Sequence, residues 1–217
     1  MKVAFFVLAT VLAFASADED VGWLSEMLND LKAEHLEEKI VHLQGMCSGN
    51  QEAVKVAARE FEHCVDDVID FETKTICGIM KADYQNCTVP FVRVLTSCMD
   101  DEYKDIPGFL VNTVHNVVSY ICRVNGQHFM ELSNPCFWNS ESTDLKKCED
   151  LIEAKIGELK QEAKTTSGEY CEFFETINGC FNHHLRAECK HPVTVEAYSG
   201  LYQALTKECK NIKNNNL

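Results

Sequence analysis

Twelve cysteines fall into two sets of six, and this arrangement constrains the chain more than any other feature. In the C-terminal set, Cys171, Cys180 and Cys189 stand close together and an amphipathic run leads on to Cys209. In the N-terminal set, Cys77, Cys87 and Cys98 are close, and an apolar run from Phe109 to Ile121 ends at Cys122. Upstream, Glu62-His63-Cys64-Val65-Asp66-Asp67-Val68-Ile69 resembles Lys146-Lys147-Cys148-Glu149-Asp150-Leu151-Ile152, with Cys47 and Cys136 opening each copy. The pattern reads as two diverged six-cysteine helical repeats in tandem. Twelve cysteines allow roughly ten thousand pairings. A duplicated unit carries its own bridges, however, so pairing is expected mostly within Cys47–Cys122 and within Cys136–Cys209.

The start of the chain supplies the redox context. Lys2, the apolar stretch Val3 to Phe14 and the small residues Ala15-Ser16-Ala17 make a secretory signal peptide over residues 1–17. The apolar run is too short to span a bilayer, and acids follow it at once. Secretion into an oxidising extracellular fluid makes six disulfides the economical reading, each stabilising by roughly 2–4 kcal/mol. The formal net charge of −14 becomes one unit more negative once Lys2 is removed. Such a surface repels phosphate backbones and anionic lipid heads, so nucleic acid and membrane surfaces are disfavoured as partners, and no membrane span is expected.

Periodicity then divides the mature chain. Residues 18–45 form an amphipathic helical arm, with Leu24, Met27, Leu28 and Leu31 at helical spacing and Leu36, Ile40 and Leu43 as a second stripe. The first unit covers 46–130 and the second 131–217, both packed as one body. In the first, Val54, Ala57, Phe61, Cys64, Val65 and Val68 share a helix face. A turn is expected at Asn86-Cys87-Thr88, a short helix started by Pro90, and a buried helix over the valine-rich stripe Leu110, Val114, Val117, Val118 and Ile121. Valine favours strands, but the length and the three-to-four spacing favour a helix. Asn125-Gly126 reads as its stop. In the second unit a charged helix runs to about Ala163, and Thr165 to Gly168 is a loop. An aromatic face with Tyr170, Phe173, Phe174 and Ile177 precedes a turn at Asn178-Gly179-Cys180, with Phe181 and Leu185 across it. Pro192 starts the last helix, which carries Val195, Tyr198, Leu201, Tyr202 and Leu205 to Cys209, and Asn211 to Leu217 frays. No segment alternates with period two. The fold class is all-α, a disulfide-stapled helical bundle.

Asn86-Cys87-Thr88 is also a glycosylation sequon, and Asn86 is the one acceptor candidate. His183, His184 and His191 lie near Cys180 and Cys189, but the spacings are too long for a Cys–His zinc site, so they read as surface histidines. Asp66, Asp67 and Asp70, and Asp100-Asp101-Glu102, lack the loop pattern of a calcium site and read as solvated charge. No nucleophile elbow, metalloprotease helix or phosphate-cradling glycine loop occurs, so no catalytic residue, metal ligand or cofactor is assigned, and the chain is not expected to be an enzyme. The residues left with binding potential are apolar: Leu110, Val114 and Val117 in one unit, Phe173, Phe174, Tyr198, Leu201 and Tyr202 in the other. Such a stripe is ordinarily core. A cavity lined by it would suit a small apolar ligand.

The cysteine frame, together with Phe61-x-x-Cys64, Val118-Ser119-Tyr120-Ile121-Cys122 followed by Asn125-Gly126, the Cys136 and Cys148 pair, and the His191-Pro192 helix to Cys209, resembles the insect 27 kDa haemolymph glycoprotein family. The resemblance covers about Cys47 to Cys209. It implies a secreted, glycosylated, non-enzymatic protein of haemolymph or a similar fluid, and it supplies no catalytic residues. The expected function is therefore an extracellular binding or carrier protein for a small apolar ligand. The alternative is an immune, venom, cuticular or storage component that binds an extracellular protein through its surface and has a filled core.

Overall fold

The computed structural model describes Cys47 and residues 50–70, 72–137, 143–161 and 166–215. The expected signal peptide at 1–17 and the expected helical arm at 18–45 lie outside the described residues. Those described are helices and their connections, with no strand among them. The all-α expectation therefore holds. The described residues group into two compact units, divided between Ser119 and Tyr120.

In the N-terminal unit, α1 (Gln51–Val68) packs on α2 (Tyr84–Cys98). Val54, Ala57 and Ala58 turn the buried face of α1 inward. Cys47, Val54, Leu95 and Met99 form the buried cluster, flanked by Phe91, Val94 and Cys98. Phe61 stacks on Phe91 at 5.5 Å and meets the edge of Tyr84 at 5.7 Å. A single helical turn, Ile76–Gly78, and a π-helical stretch, Ile79–Asp83, lead directly into α2. Asn86-Cys87-Thr88 is therefore helix and not the expected turn, and Pro90 lies inside α2 instead of starting it. A proline there removes one helical hydrogen bond. Tertiary tethers, chiefly the bridge at Cys87, outweigh that local loss. The valine-rich stripe is helical as expected, in α3 (Ile106–Ile121). Its deepest face is Ile106, Phe109, Thr113, Asn116 and Val117.

The C-terminal unit holds α4 (Gly126–Glu131), α5 (Thr143–Gln161), α6 (Ser167–Glu188), α7 (Pro192–Leu205) and α8 (Lys207–Asn215). Asn125 does not stop α3. It caps the start of α4, its side chain accepting from the His128 N–H at 2.9 Å. Thr166 caps α6 through a complete capping box with Glu169, so Ser167-Gly168 is helix where a loop was expected. α6 then runs unbroken through Asn178-Gly179-Cys180, which removes the expected turn there. A helical glycine costs about 1 kcal/mol relative to alanine, which the packed face of a 22-residue helix readily offsets. Pro192 opens α7 as expected, but that helix ends at Leu205, and α8 carries helical structure to Asn215, beyond the expected fraying point. Phe137, Leu185 and Cys189 form the buried centre, with Cys136, Phe181, Val195 and Tyr198 packed around it.

The disulfides express the duplication. Cys47–Cys98 and Cys64–Cys87 join the first to the fifth and the second to the fourth cysteine of the N-terminal set. Cys136–Cys189 and Cys148–Cys180 make the same two connections in the C-terminal set, and Cys171–Cys209 joins its third and sixth. Cys77 and Cys122 are disulfide-bonded as well, and no cysteine is free.

Candidate functional site

The apolar residues singled out above belong to two separate units. On α3, Val117 is buried, and Leu110 and Val114 are half-buried. On α6, Phe173 and Phe174 are buried, their ring centroids 6.0 Å apart. On α7, Tyr198, Leu201 and Tyr202 are half-buried. Tyr198 is committed to local packing. Its ring stacks on Phe137 at 3.8 Å between centroids, and its hydroxyl donates to the Leu132 carbonyl at 2.7 Å. Phe137 also contacts Phe181 at 5.3 Å.

His184 closes this aromatic cluster and overturns its reading as a surface histidine. It is 0 % exposed, meets Phe137 edge-on, and its Nε2 lies 2.7 Å from the Phe137 carbonyl oxygen. A carbonyl only accepts, so Nε2 carries the proton. The signal was present in the sequence: Ile177, Phe181, His184 and Leu185 follow helical spacing, and the assumed break at residues 178–180 concealed it. His183 and His191 are exposed, and His183 lies 3.5 Å from Asp144. Among the described residues no group of three potential metal ligands converges. Asp70 closes a turn after α1, accepting from the N–H groups of Glu72 and Thr73. Its hydrogen bond from the Thr73 hydroxyl is the main influence holding the carboxyl below its ordinary range. Asp66 and Asp67 are exposed, and Asp101 pairs with Lys104.

A polar cluster that the sequence did not reveal joins α4 to α7. Glu131 accepts from the Thr194 hydroxyl and, at 2.6 Å, from Asn134 Nδ2. The Thr194 bond, then that of Asn134, and more weakly the fields of His191 and His128 hold the Glu131 carboxyl below its ordinary range. Thr194 is fully buried although it lies 63 residues away in sequence. Short-range patterns carry no signal for such a pair.

At the sequon, Asn86 is exposed on α2, Cys87 is buried in its bridge to Cys64, and Thr88 is 3 % exposed. The Thr88 hydroxyl donates to the carbonyls of Tyr84 at 3.0 Å and Gln85 at 2.9 Å.

With this geometry in view, comparison with known proteins adds a family. The one described as a protein of unknown function (DUF1397) matches residues 29–210. No curated protein matches the chain, and no solved structure does.

Proposed function

The chain belongs to this family of unknown function, and on that premise we propose that it is a secreted, non-enzymatic glycoprotein of haemolymph type that binds or carries a small apolar ligand. The observation that carries the reading is that each unit carries an apolar helix face beside bonded cysteines: Leu110, Val114 and Val117 on α3, which runs up to Cys122, and Phe173 and Phe174 on α6 with Leu201 and Tyr202 on α7, between the bridged Cys171, Cys189 and Cys209. Bridged helices keep such faces in place without relying on a filled interior, which suits a binding surface that must outlast an extracellular fluid. The fully bonded cysteines are those of an oxidising compartment. No described helix is long and apolar enough to cross a membrane.

A second reading is favoured by one specific contact set. The Phe137–Tyr198 stack, with Phe181 and His184 against it, occupies the interior of the C-terminal unit with side chains. That packing suits a surface-acting partner of another extracellular protein. Mass spectrometry of protein from its natural source, native and then denatured, separates the two. A stoichiometric extra mass lost on denaturation is expected for the carrier. Its absence, with all 12 cysteines bonded, selects the surface-acting reading.

A further inference from the structure

We propose that Asn86 can receive a glycan only while the chain around it is extended, and that closure of the Cys64–Cys87 bridge ends that interval. Occupancy of Asn86 is then set by a race between sugar transfer and disulfide formation. The inference rests on the reading of Asn86 as a glycan acceptor, and goes beyond it.

Helix geometry sets the two halves of the sequon apart. A sequon is read as two side chains together, the asparagine amide and the hydroxyl two positions on. In an extended chain, residues i and i+2 project to the same side. On an α-helix they are turned apart by about 200°, because each residue advances about 100°. The folded molecule shows this separation. Asn86 is exposed, whereas Thr88 is buried with its hydroxyl donating to Tyr84 and Gln85 carbonyls on the inner side of α2. No single enzyme site can hold both groups in that state. The residue between them is the lock, since the Cys87 sulfur is bonded to Cys64.

The same segment is poorly disposed to become helical by itself. Pro90 cannot donate to the Asn86 carbonyl, and it disfavours helical backbone at Val89. Thr88 and Val89 are β-branched and lose side-chain freedom in a helix. Helical structure across the sequon therefore depends on the bridge and on packing against α1, and the nascent chain stays extended until these form. Cys64 precedes Cys87 by 23 residues, so it is already available when the sequon emerges.

In the transfer itself, Asn86 Nδ2 attacks the anomeric carbon of a lipid-pyrophosphate-linked oligosaccharide. The new C–N bond forms as the anomeric C–O bond breaks, the pyrophosphate leaves with the bonding pair, and the amide nitrogen gives up one proton to a base of the transferase. The product is compatible with the fold, because Asn86 and its neighbours Val89, Pro90 and Arg93 are all exposed along one face of α2.

The test is synthesis of the full chain into microsomes with the lipid-linked donor withheld, followed by late addition of that donor. One sample is kept reduced throughout and the other is allowed to oxidise and fold first; Asn86→Gln is the control for the glycan mass. The reduced chain is expected to gain the glycan, and the folded chain to lose most of this capacity. Cys64→Ser is expected to restore it several-fold under oxidising conditions. Equal modification of reduced and folded chains overturns the race while leaving Asn86 an acceptor. Resistance of the oxidised Cys64→Ser chain equal to that of the folded wild type overturns the bridge as the lock. No modification in any sample overturns the acceptor reading, and the inference with it.

Discussion

At the scale of single residues, Gly200 and His184 hold the C-terminal unit in ways that short-range pattern only partly predicts. Tyr120 lies across α7, its hydroxyl donating to the Ala197 carbonyl at 2.6 Å, and a Cβ on Gly200 would stand 2.5 Å from its ring. The glycine is there for close approach and not for backbone freedom. Gly200→Ala is expected to push the ring off Ala197 and destabilise the protein by about 1–3 kcal/mol, as overpacking does. Urea unfolding followed by tyrosine fluorescence reads both effects, and an unchanged midpoint refutes the contact. His184 is the counterpart for polarity. Its Nε2–H donates to the buried Phe137 carbonyl, so His184→Leu keeps the volume but removes that hydrogen bond. The expected loss is about 0.5–1.5 kcal/mol, measurable as a lowered thermal midpoint at neutral pH. Only one of the two was partly legible. His184 follows the spacing of Ile177 and Phe181, whereas nothing near Gly200 announces Tyr120, because the two are brought together only by packing.

At the scale of elements, junctions between helices depend on caps and on one carboxylate. The capping box of Thr166 and Glu169 was available as a local motif, and it explains why α6 begins where a loop was expected. The Glu131 link from α4 to α7 was not, because its partners are a neighbour in the following turn and a threonine from another helix. The hydrogen bonds of Thr194 and Asn134 lower the folded-state pKa of Glu131 below the ordinary value of about 4.3. The folded state thus binds this proton less readily than the unfolded chain. Its stabilising contribution is complete above the ordinary glutamate range and is lost as pH falls through the lowered folded value. Denaturation midpoints measured from pH 6 downward should therefore fall less steeply for Glu131→Gln than for the wild type. Identical slopes would show that the carboxylate contributes nothing to the acid response.

At the scale of the whole molecule, the disulfides repeat two connections across the two sets of cysteines. Linking first to fifth and second to fourth cysteine in both sets is one plan used twice, around cores of different composition. Cys148 and Cys180 close the second-to-fourth connection between α5 and α6, as Cys64 and Cys87 do between α1 and α2. Replacing Cys148 and Cys180 together with serine should lower stability by about 2–5 kcal/mol. Peptide mapping of that variant should still recover Cys136–Cys189 and Cys171–Cys209. Scrambled bridges across the two sets would show that pairing is not directed within each unit.

The amino-acid sequence by itself determined the helical class, the two sets of six cysteines and the apolar stripe of α3, because these depend on period, composition and repetition that any stretch of chain displays locally. Tertiary structure decided where the helices run on. Asn86-Cys87-Thr88 and Asn178-Gly179-Cys180 look like turns by local preference, and each became helix once its cysteine was bridged to a neighbouring helix and its inner face was buried. It also decided which polar groups went inside, since Thr194 and His184 are accommodated by partners distant in sequence, at Glu131 and Phe137. Local propensities amount to about 1 kcal/mol or less per residue, and a bridge together with a buried helix face outweighs them.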